Sequence, residues 1–177
     1  MKRALAIISQ VGFNDKELLT IKSTLEKNNI SCVIASFAQG ECIGKYGKRV
    51  TARYAIPSVN IDEFDALFFV GGYGISALME YEQVIKLIKK ANRAKKIIGA
   101  HCLAPALVLA KAGLLKGKNV TVFHTKDGWS AKEVLAHGAK LINAPVVTDK
   151  NIITGRNEDE AKAFADALVI ALTKRAS

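Results

Sequence analysis

Cysteine, proline and aromatic residues are all scarce in this 177-residue chain, which has three Cys, three Pro, and 7% Phe, Trp and Tyr together. Cys32, Cys42 and Cys102 form no CxxC pair and no metal-ligand spacing, and an odd count does not make a disulfide framework. A disulfide-stapled scaffold and a cysteine-built metal site are therefore excluded, and each cysteine is to be judged as a thiol. No repeat, low-complexity tract or linker interrupts the chain, so residues 1–177 are expected to form one domain. No apolar run approaches the roughly 20 residues that a membrane span needs. The start Met1-Lys2-Arg3 runs into a strand-like segment without a small-residue cleavage site, so the expected location is the cytoplasm, away from membranes. Acidic residues are few as well: 16 Asp and Glu against 26 Lys and Arg leave a net charge of +10, which favours acidic surfaces as partners and says nothing about fold.

Hydrophobic residues make up 50% of the chain, enough for a sizeable core. Ala4 to Ile8 reads as a buried strand. Leu18, Leu19, Ile21 and Leu25 mark the inner face of a helix opened by Asn14. Strands follow at Cys32 to Phe37 and Ala66 to Val70, then a helix over Val84 to Ala91. The strand Ile97 to Ala100 runs into a helix beginning at Pro105, and Val120 to Phe123 is the next strand. A helix near Ala131 to Ala136, strands at Val146-Val147 and Ile152-Ile153, and a final helix from Glu158 to about Leu172 complete the pattern. Gly40 to Asn60 breaks the alternation and predicts a small hairpin. Repeated strand–helix alternation implies an α/β three-layer sandwich, a mostly parallel sheet with helices on both faces, because parallel neighbours need crossover connections. The run Lys86, Lys89, Lys90, Arg93, Lys95, Lys96 interleaves with Val84, Leu87, Ile88 and Ala91. It is the solvated face of an amphipathic helix, and without interleaved aromatics it argues against nucleic acid as a partner.

In such sheets ligands bind beyond the carboxyl ends of the strands. Three loops there carry chemistry: residues 10–17, Gly71-Gly72-Tyr73-Gly74, and His101-Cys102-Leu103. In Gly99-Ala100-His101-Cys102-Leu103-Ala104-Pro105 a strand meets a helix start with almost no loop. That is the nucleophile-elbow arrangement, which strains its central residue and requires small neighbours, here Ala100 and Ala104. A thiol facing unpaired amides at a helix N-terminus is expected to be more acidic than a free cysteine. Cys32, in an apolar stretch, reads as a buried small hydrophobe. Cys42 lies in a Gly-flanked loop and is uninformative.

With Cys102 at the elbow, the chain resembles the ThiJ/PfpI family of class I glutamine-amidotransferase-like domains, which includes intracellular cysteine proteases and the parkinsonism-associated deglycase. The resemblance rests on the order and spacing of Lys2 to Ile7, Phe64 to Leu67 leading to Gly71-Gly72, the Cys102 elbow, Ala112 to Lys118, and Thr154-Gly155-Arg156. It implies a flavodoxin-like fold, Cys102 as nucleophile, and Glu17 from the first loop beside it. It also implies an oxyanion and substrate-binding site from backbone N–H groups around Gly71, Gly72 and Leu103. Read from the residues alone, Asn14-Asp15-Lys16-Glu17 equally fits a capping box in which Glu17 serves only its own helix. Asn14 stands where several relatives have a second acid.

The protease branch has His directly after its nucleophile, where this chain has Leu103. His101 precedes Cys102, and strand alternation sends it to the opposite side. His124 resembles a histidine that the deglycase branch places near its cysteine, with a solvated strand-end histidine as the other reading. Arg156 stands where relatives carry an arginine near the pocket, and could equally serve a dimer interface or the surface. The leading expectation is a cytoplasmic, cofactor-free and metal-free enzyme acting on small α-oxoaldehydes, in a glyoxalase or deglycase reaction, and assembled as a homodimer or higher oligomer. The alternatives are a peptidase and a redox-responsive protein or holding chaperone without turnover.

Overall fold

The computed structural model describes residues 1–174. Seven strands form the main sheet: β1 (Lys2–Ile7), β3 (Ile30–Ser36), β6 (Tyr54–Ala55), β7 (Ala66–Phe69), β8 (Ile97–His101), β11 (Val146–Asp149) and β12 (Ile152–Gly155). Their spatial order is β11-β12-β8-β7-β1-β3-β6, all parallel except β11, which pairs antiparallel with β12 at one edge. The strands alternate between two buried layers, as a sheet covered on both faces requires. Leu5, Ile7, Leu67 and Phe69 enter one layer, with Val84, Leu87, Ile88 and Ala91 of α3 (Glu82–Arg93). Ala4, Ala6, Ala66 and Phe68 enter the other, with Leu18, Ile21 and Leu25 of α1 (Asp15–Lys27) and Phe164, Leu168 and Leu172 of α5 (Ala161–Lys174). Two short α-helices, α2 (Ser76–Met79) and α4 (Trp129–Ala136), lie between these elements.

The expected doubly covered parallel sheet is therefore what the chain builds, with differences of detail. Leu19, expected on the inner face of α1, is 39% exposed, because the buried stripe is carried by Leu18, Ile21 and Leu25. After the elbow, Pro105–Leu109 winds as a π-helical turn; Ala110 N–H bonds back to the Pro105 carbonyl. The strand expected over Val120 to Phe123 shrinks to β9 (Asn119–Val120), which pairs with β10 (Lys140–Leu141) outside the main sheet. The hairpin expected between residues 40 and 60 is present as β4 (Gly40–Gly44) and β5 (Arg49–Ala52), joined on its other side by β2 (Val11–Phe13). Cys42 sits on β4 and is fully buried rather than in a loop. Among the described residues no helix is long and apolar enough to cross a membrane.

β1 has β3 on one side and β7 on the other, so successive crossovers leave it in opposite directions. The crevice beyond the carboxyl ends of β1 and β7 is the switch point where such sheets bind ligands, and β8 ends beside it. Phe68, fully buried at the centre of the sheet, anchors the α1/α5 layer. Phe68→Ala is expected to cost about 3–5 kcal/mol of stability through the cavity left behind, read as a lowered urea midpoint with unchanged slope.

Candidate active site

Three loop ends meet at the switch point. Cys102 has φ 61°, a left-handed conformation that a non-glycine residue adopts only under restraint. The restraint is visible: Cys102 N–H donates to the Gly155 carbonyl at 3.0 Å, and its own carbonyl accepts from Phe123 N–H at 2.9 Å. Ala100 and Ala104 flank the turn, both fully buried. Cys102 is half-buried and borders a cavity of about 330 Å³ lined by Asn14, Lys45, Gly72, Tyr73, Leu103, Phe123 and Glu158.

Glu17 is fully buried and its two oxygens are divided. Oε2 accepts the Gly71 N–H at 2.9 Å, and Oε1 accepts from Asn14 Nδ2 at 2.8 Å. Asn14 caps α1 through its Oδ1, which accepts Glu17 N–H at 3.2 Å, but its own N–H goes to the Gly71 carbonyl at 2.8 Å. Only half of the capping box is thus made, and the Glu17 carboxyl is turned toward the loop after β7. A Cβ at Gly71 would fall 2.5 Å from Cys102 Cβ and 3.0 Å from both Cys102 Sγ and Glu17 Oε2. Glycine is what allows thiol and carboxyl to share that space.

The helix-terminus argument predicts an acidified thiol, and the structure reverses the direction. Burial and the charge of the facing Glu17 carboxylate push the Cys102 thiol up to about 12, against the pull of the Leu103 and Gly72 amides. A short π-helical turn supplies less field than a full helix, whereas the carboxylate is at contact distance. The sulfur thus faces the Glu17 carboxyl on one side and the Leu103 and Gly72 amides on the other. Burial above all, with a smaller push from the Glu26 charge against the pull of Lys22, takes the Cys32 thiol up to about 12, consistent with its reading as an inert core residue. Cys42 is also raised, first by burial.

The other expected residues are dispersed around this centre. Gly72 and Leu103 border the cavity and direct their amides at the sulfur, while the Gly71 amide is spent on Glu17. His124 is exposed and adjoins Phe123 at the mouth rather than lining the cavity. Arg156 lies outside the lining; its guanidinium forks onto Glu160 at 2.6 and 3.2 Å and reaches Asn143 Oδ1 at 2.6 Å. His101 is buried as alternation requires, yet its Nδ1 comes to 3.1 Å from Glu17 Oε2, a proximity the alternation argument does not anticipate.

A polar wall formed by Lys45, Asn14 and Glu158 has no counterpart in the sequence reading. Asp15 Oδ2 accepts the Tyr46 and Lys48 amides and so fixes the β4–β5 turn over the site. Glu158 then takes Lys45 Nζ at 2.7 Å, Asn14 Nδ2 at 2.7 Å and Tyr46 Oη at 3.0 Å. The Asn14 amide therefore donates to two carboxylates at once, which an acid at that position could not do. Of these groups only the Asn14–Glu17 spacing carries any signal in the sequence. Among the described residues no group of three or more His, Cys, Asp or Glu side chains is placed to hold a metal.

An α/β domain with a strained cysteine at the switch point and a buried carboxyl against it defines a class of cysteine-elbow proteins. Its family follows from comparison: the model of the DJ-1/PfpI family matches residues 2–171, and the chain belongs to that family. It is 31% identical to the deglycase TK1284 of Thermococcus kodakarensis over 89% of this chain and 92% of that one. It is equally 31% identical to YraA of Bacillus subtilis, whose name carries an unproven cysteine-protease assignment, over 93% and 95% of the two chains. The crystal structure of a ThiJ/PfpI domain protein from Brachyspira murdochii superposes with a TM-score of 0.91 at 27% identity, covering 97% of this chain and 96% of that one. Drosophila melanogaster DJ-1beta superposes at 0.85 with 27% identity, covering 97% and 90%.

Burial would raise the Glu158 carboxyl, but its bonds from Lys45, Asn14, Tyr46 and Lys16 outweigh that and hold it down to about 2. The resulting stability is complete above the unfolded carboxyl range and is lost as pH falls through about 2. Glu158→Gln is expected to cost about 1 kcal/mol at pH 7, a figure discounted for partial exposure. The gap to wild type should close as urea melts are taken from pH 6 down to pH 2.

Proposed function

We propose that this protein is a cysteine-dependent enzyme that converts small α-oxoaldehydes such as methylglyoxal to hydroxy acids without a cofactor, the glyoxalase or deglycase reaction. The observation that carries this reading is Cys102 held in a left-handed elbow at the edge of a small cavity, with the Glu17 carboxyl sharing its space. The deglycase name of the Thermococcus relative agrees with it.

The reaction starts when the thiol proton passes to Glu17 and the thiolate attacks the aldehyde carbon. A C–S bond forms, and the carbonyl oxygen becomes an oxyanion facing the Gly72 and Leu103 amides. Protonation of that oxygen gives a hemithioacetal. The hydrogen on C1 then moves as a proton to C2 through an enediol, with Glu17 as the group that carries the proton, which leaves a thioester of the hydroxy acid. Water cleaves the thioester, releasing the acid and restoring the thiol. The oxidation of C1 is balanced by the reduction of C2, so no external oxidant is needed. Tyr73, Phe123 and Leu103 give the cavity apolar walls, and Lys45 and Glu158, paired to each other, leave it without a free charge for a large anionic substrate. Residue 103 is leucine and no histidine lines the cavity, which weakens the peptidase reading. The reading places the enzyme in the cytoplasm as a homodimer or higher oligomer, for which sedimentation velocity is the direct measurement.

Cys102→Ser is expected to abolish lactate formation from methylglyoxal in the absence of glutathione while leaving the circular dichroism spectrum unchanged. A variant with the wild-type rate sinks the proposal. A redox-sensing role without turnover draws on the same contact, because a protonated Glu17 would hold a sulfinic acid at Cys102 by hydrogen bonding. Peroxide titration of wild type and Glu17→Gln, followed by intact mass, is expected to show more sulfonic acid in the variant. Identical oxidation ladders remove Glu17 from the thiol's chemistry.

A further inference from the structure

The reaction above leaves idle a buried histidine that touches its acid. His101 ends β8, one residue before the elbow, and points into the layer covered by α1 and α5. Its ring packs on Phe164 with centroids 5.0 Å apart and fills the recess left by Gly155, where a Cβ would lie 2.3 Å from its Cδ2 and 2.9 Å from its Nε2. It is 0% exposed, and neither ring nitrogen has a hydrogen-bond partner. Leaving buried polar atoms unpaired is costly, and a phenylalanine would fill the same recess without that cost.

What the ring does have is Glu17. Nδ1 lies 3.1 Å from Oε2, too poorly aligned for a hydrogen bond at rest. That oxygen is the one that accepts the Gly71 amide and shares space with Cys102 Sγ. Another carboxylate, Glu160 in the segment leading into α5, is already forked by Arg156. The ring thus has the Glu17 carboxylate on the site side and Phe164 against its face.

We propose that His101 is a positioning residue that takes up the proton when Cys102 becomes a thiolate, with Glu17 Oε2 as the bridge between them. The S–H bond breaks, the proton passes to Oε2 and then to the Nδ1 lone pair, and Nε2 keeps the ring's other hydrogen throughout. Thiol, carboxylate and neutral imidazole become thiolate, carboxylate and imidazolium, with protons and net charge conserved. The imidazolium lies against the Glu17 carboxylate, and the thiolate no longer faces a lone carboxylate uncompensated. The proposal rests on Cys102 as nucleophile and is independent of the substrate.

Wild type, His101→Phe and His101→Asn are to be compared in the rate of Cys102 alkylation by iodoacetamide between pH 5 and pH 11, mapped by mass spectrometry. Phenylalanine keeps the packing on Phe164 and cannot take a proton; asparagine keeps an N–H near Nδ1 and cannot take one either. Both variants are expected to react about tenfold or more slowly at neutral pH, one pK unit or more in the thiol, and to rejoin wild type in alkali, where the thiolate forms unaided. His101→Asn reacting at the wild-type rate overturns the proposal, since the ring would then only orient Glu17. A second measurement needs no variant: 15N-histidine NMR of wild type before and after Cys102 is blocked with methyl methanethiosulfonate. The His101 imidazolium signature is expected to persist to higher pH in the free protein than in the blocked one, and identical titrations overturn the proposal. A wild-type Cys102 that labels no faster than Cys32 removes the nucleophile reading and this one together. A fast Cys102 indifferent to both substitutions removes this one alone.

Discussion

The site depends on keeping one carboxyl, that of Glu17, out of water. Removing a carboxylate from solvent costs several kcal/mol unless other groups replace the water it loses. Here the replacements come from different parts of the chain: the Gly71 amide after β7, the Asn14 side chain at the start of α1, and the close approach of His101 at the end of β8. Burying that one group therefore ties three loop ends together. The same Asn14 amide reaches Glu158, which draws in Lys45 and Tyr46 from the small sheet. A connected set of polar contacts runs from the edge of the fold to the cysteine.

The elbow is the second constraint, and it has a cost of its own. A left-handed non-glycine residue stores roughly 1–3 kcal/mol, and it persists at Cys102 because the backbone on both sides is already committed. Ala100 and His101 are locked in the ladder between β7 and β12. Leu103 accepts the Leu107 N–H at 3.0 Å, and the Cys102 carbonyl is held by Phe123. The sheet supplies rigidity and the loops supply chemistry, the division that parallel α/β folds make at their switch points.

Relatives at about 31% identity carry both deglycase and cysteine-protease names, and structural neighbours at 27% share the whole architecture. Shared architecture does not fix the reaction. The immediate surroundings of the sulfur in this chain are Leu103 after it, the Glu17 carboxyl that Asn14 holds beside it, and the buried His101 before it.

The sequence by itself determined the sheet, because branched apolar runs such as Ala4 to Ile8 and Ile97 to Ala100 have only one way to be buried on both faces. It also determined the elbow, because Cys102 stands midway between Ala100 and Ala104 and three residues before Pro105, with no residues to spare for a loop. The amphipathic spacing of α3 was equally legible, since periodicity is a local property of the chain. The state of the thiol was not legible, because burial and the facing Glu17 carboxylate outweigh the field of a short helical turn, and only packing sets both. Nor were the Lys45–Glu158 contact, separated by 113 positions, or the nearness of His101 to Glu17. Alternation says correctly which side of the strand His101 takes, but it is silent about what another helix brings to that side. Tertiary structure alone decided which polar groups share one dry space, because that depends on where separate elements come to rest against the sheet.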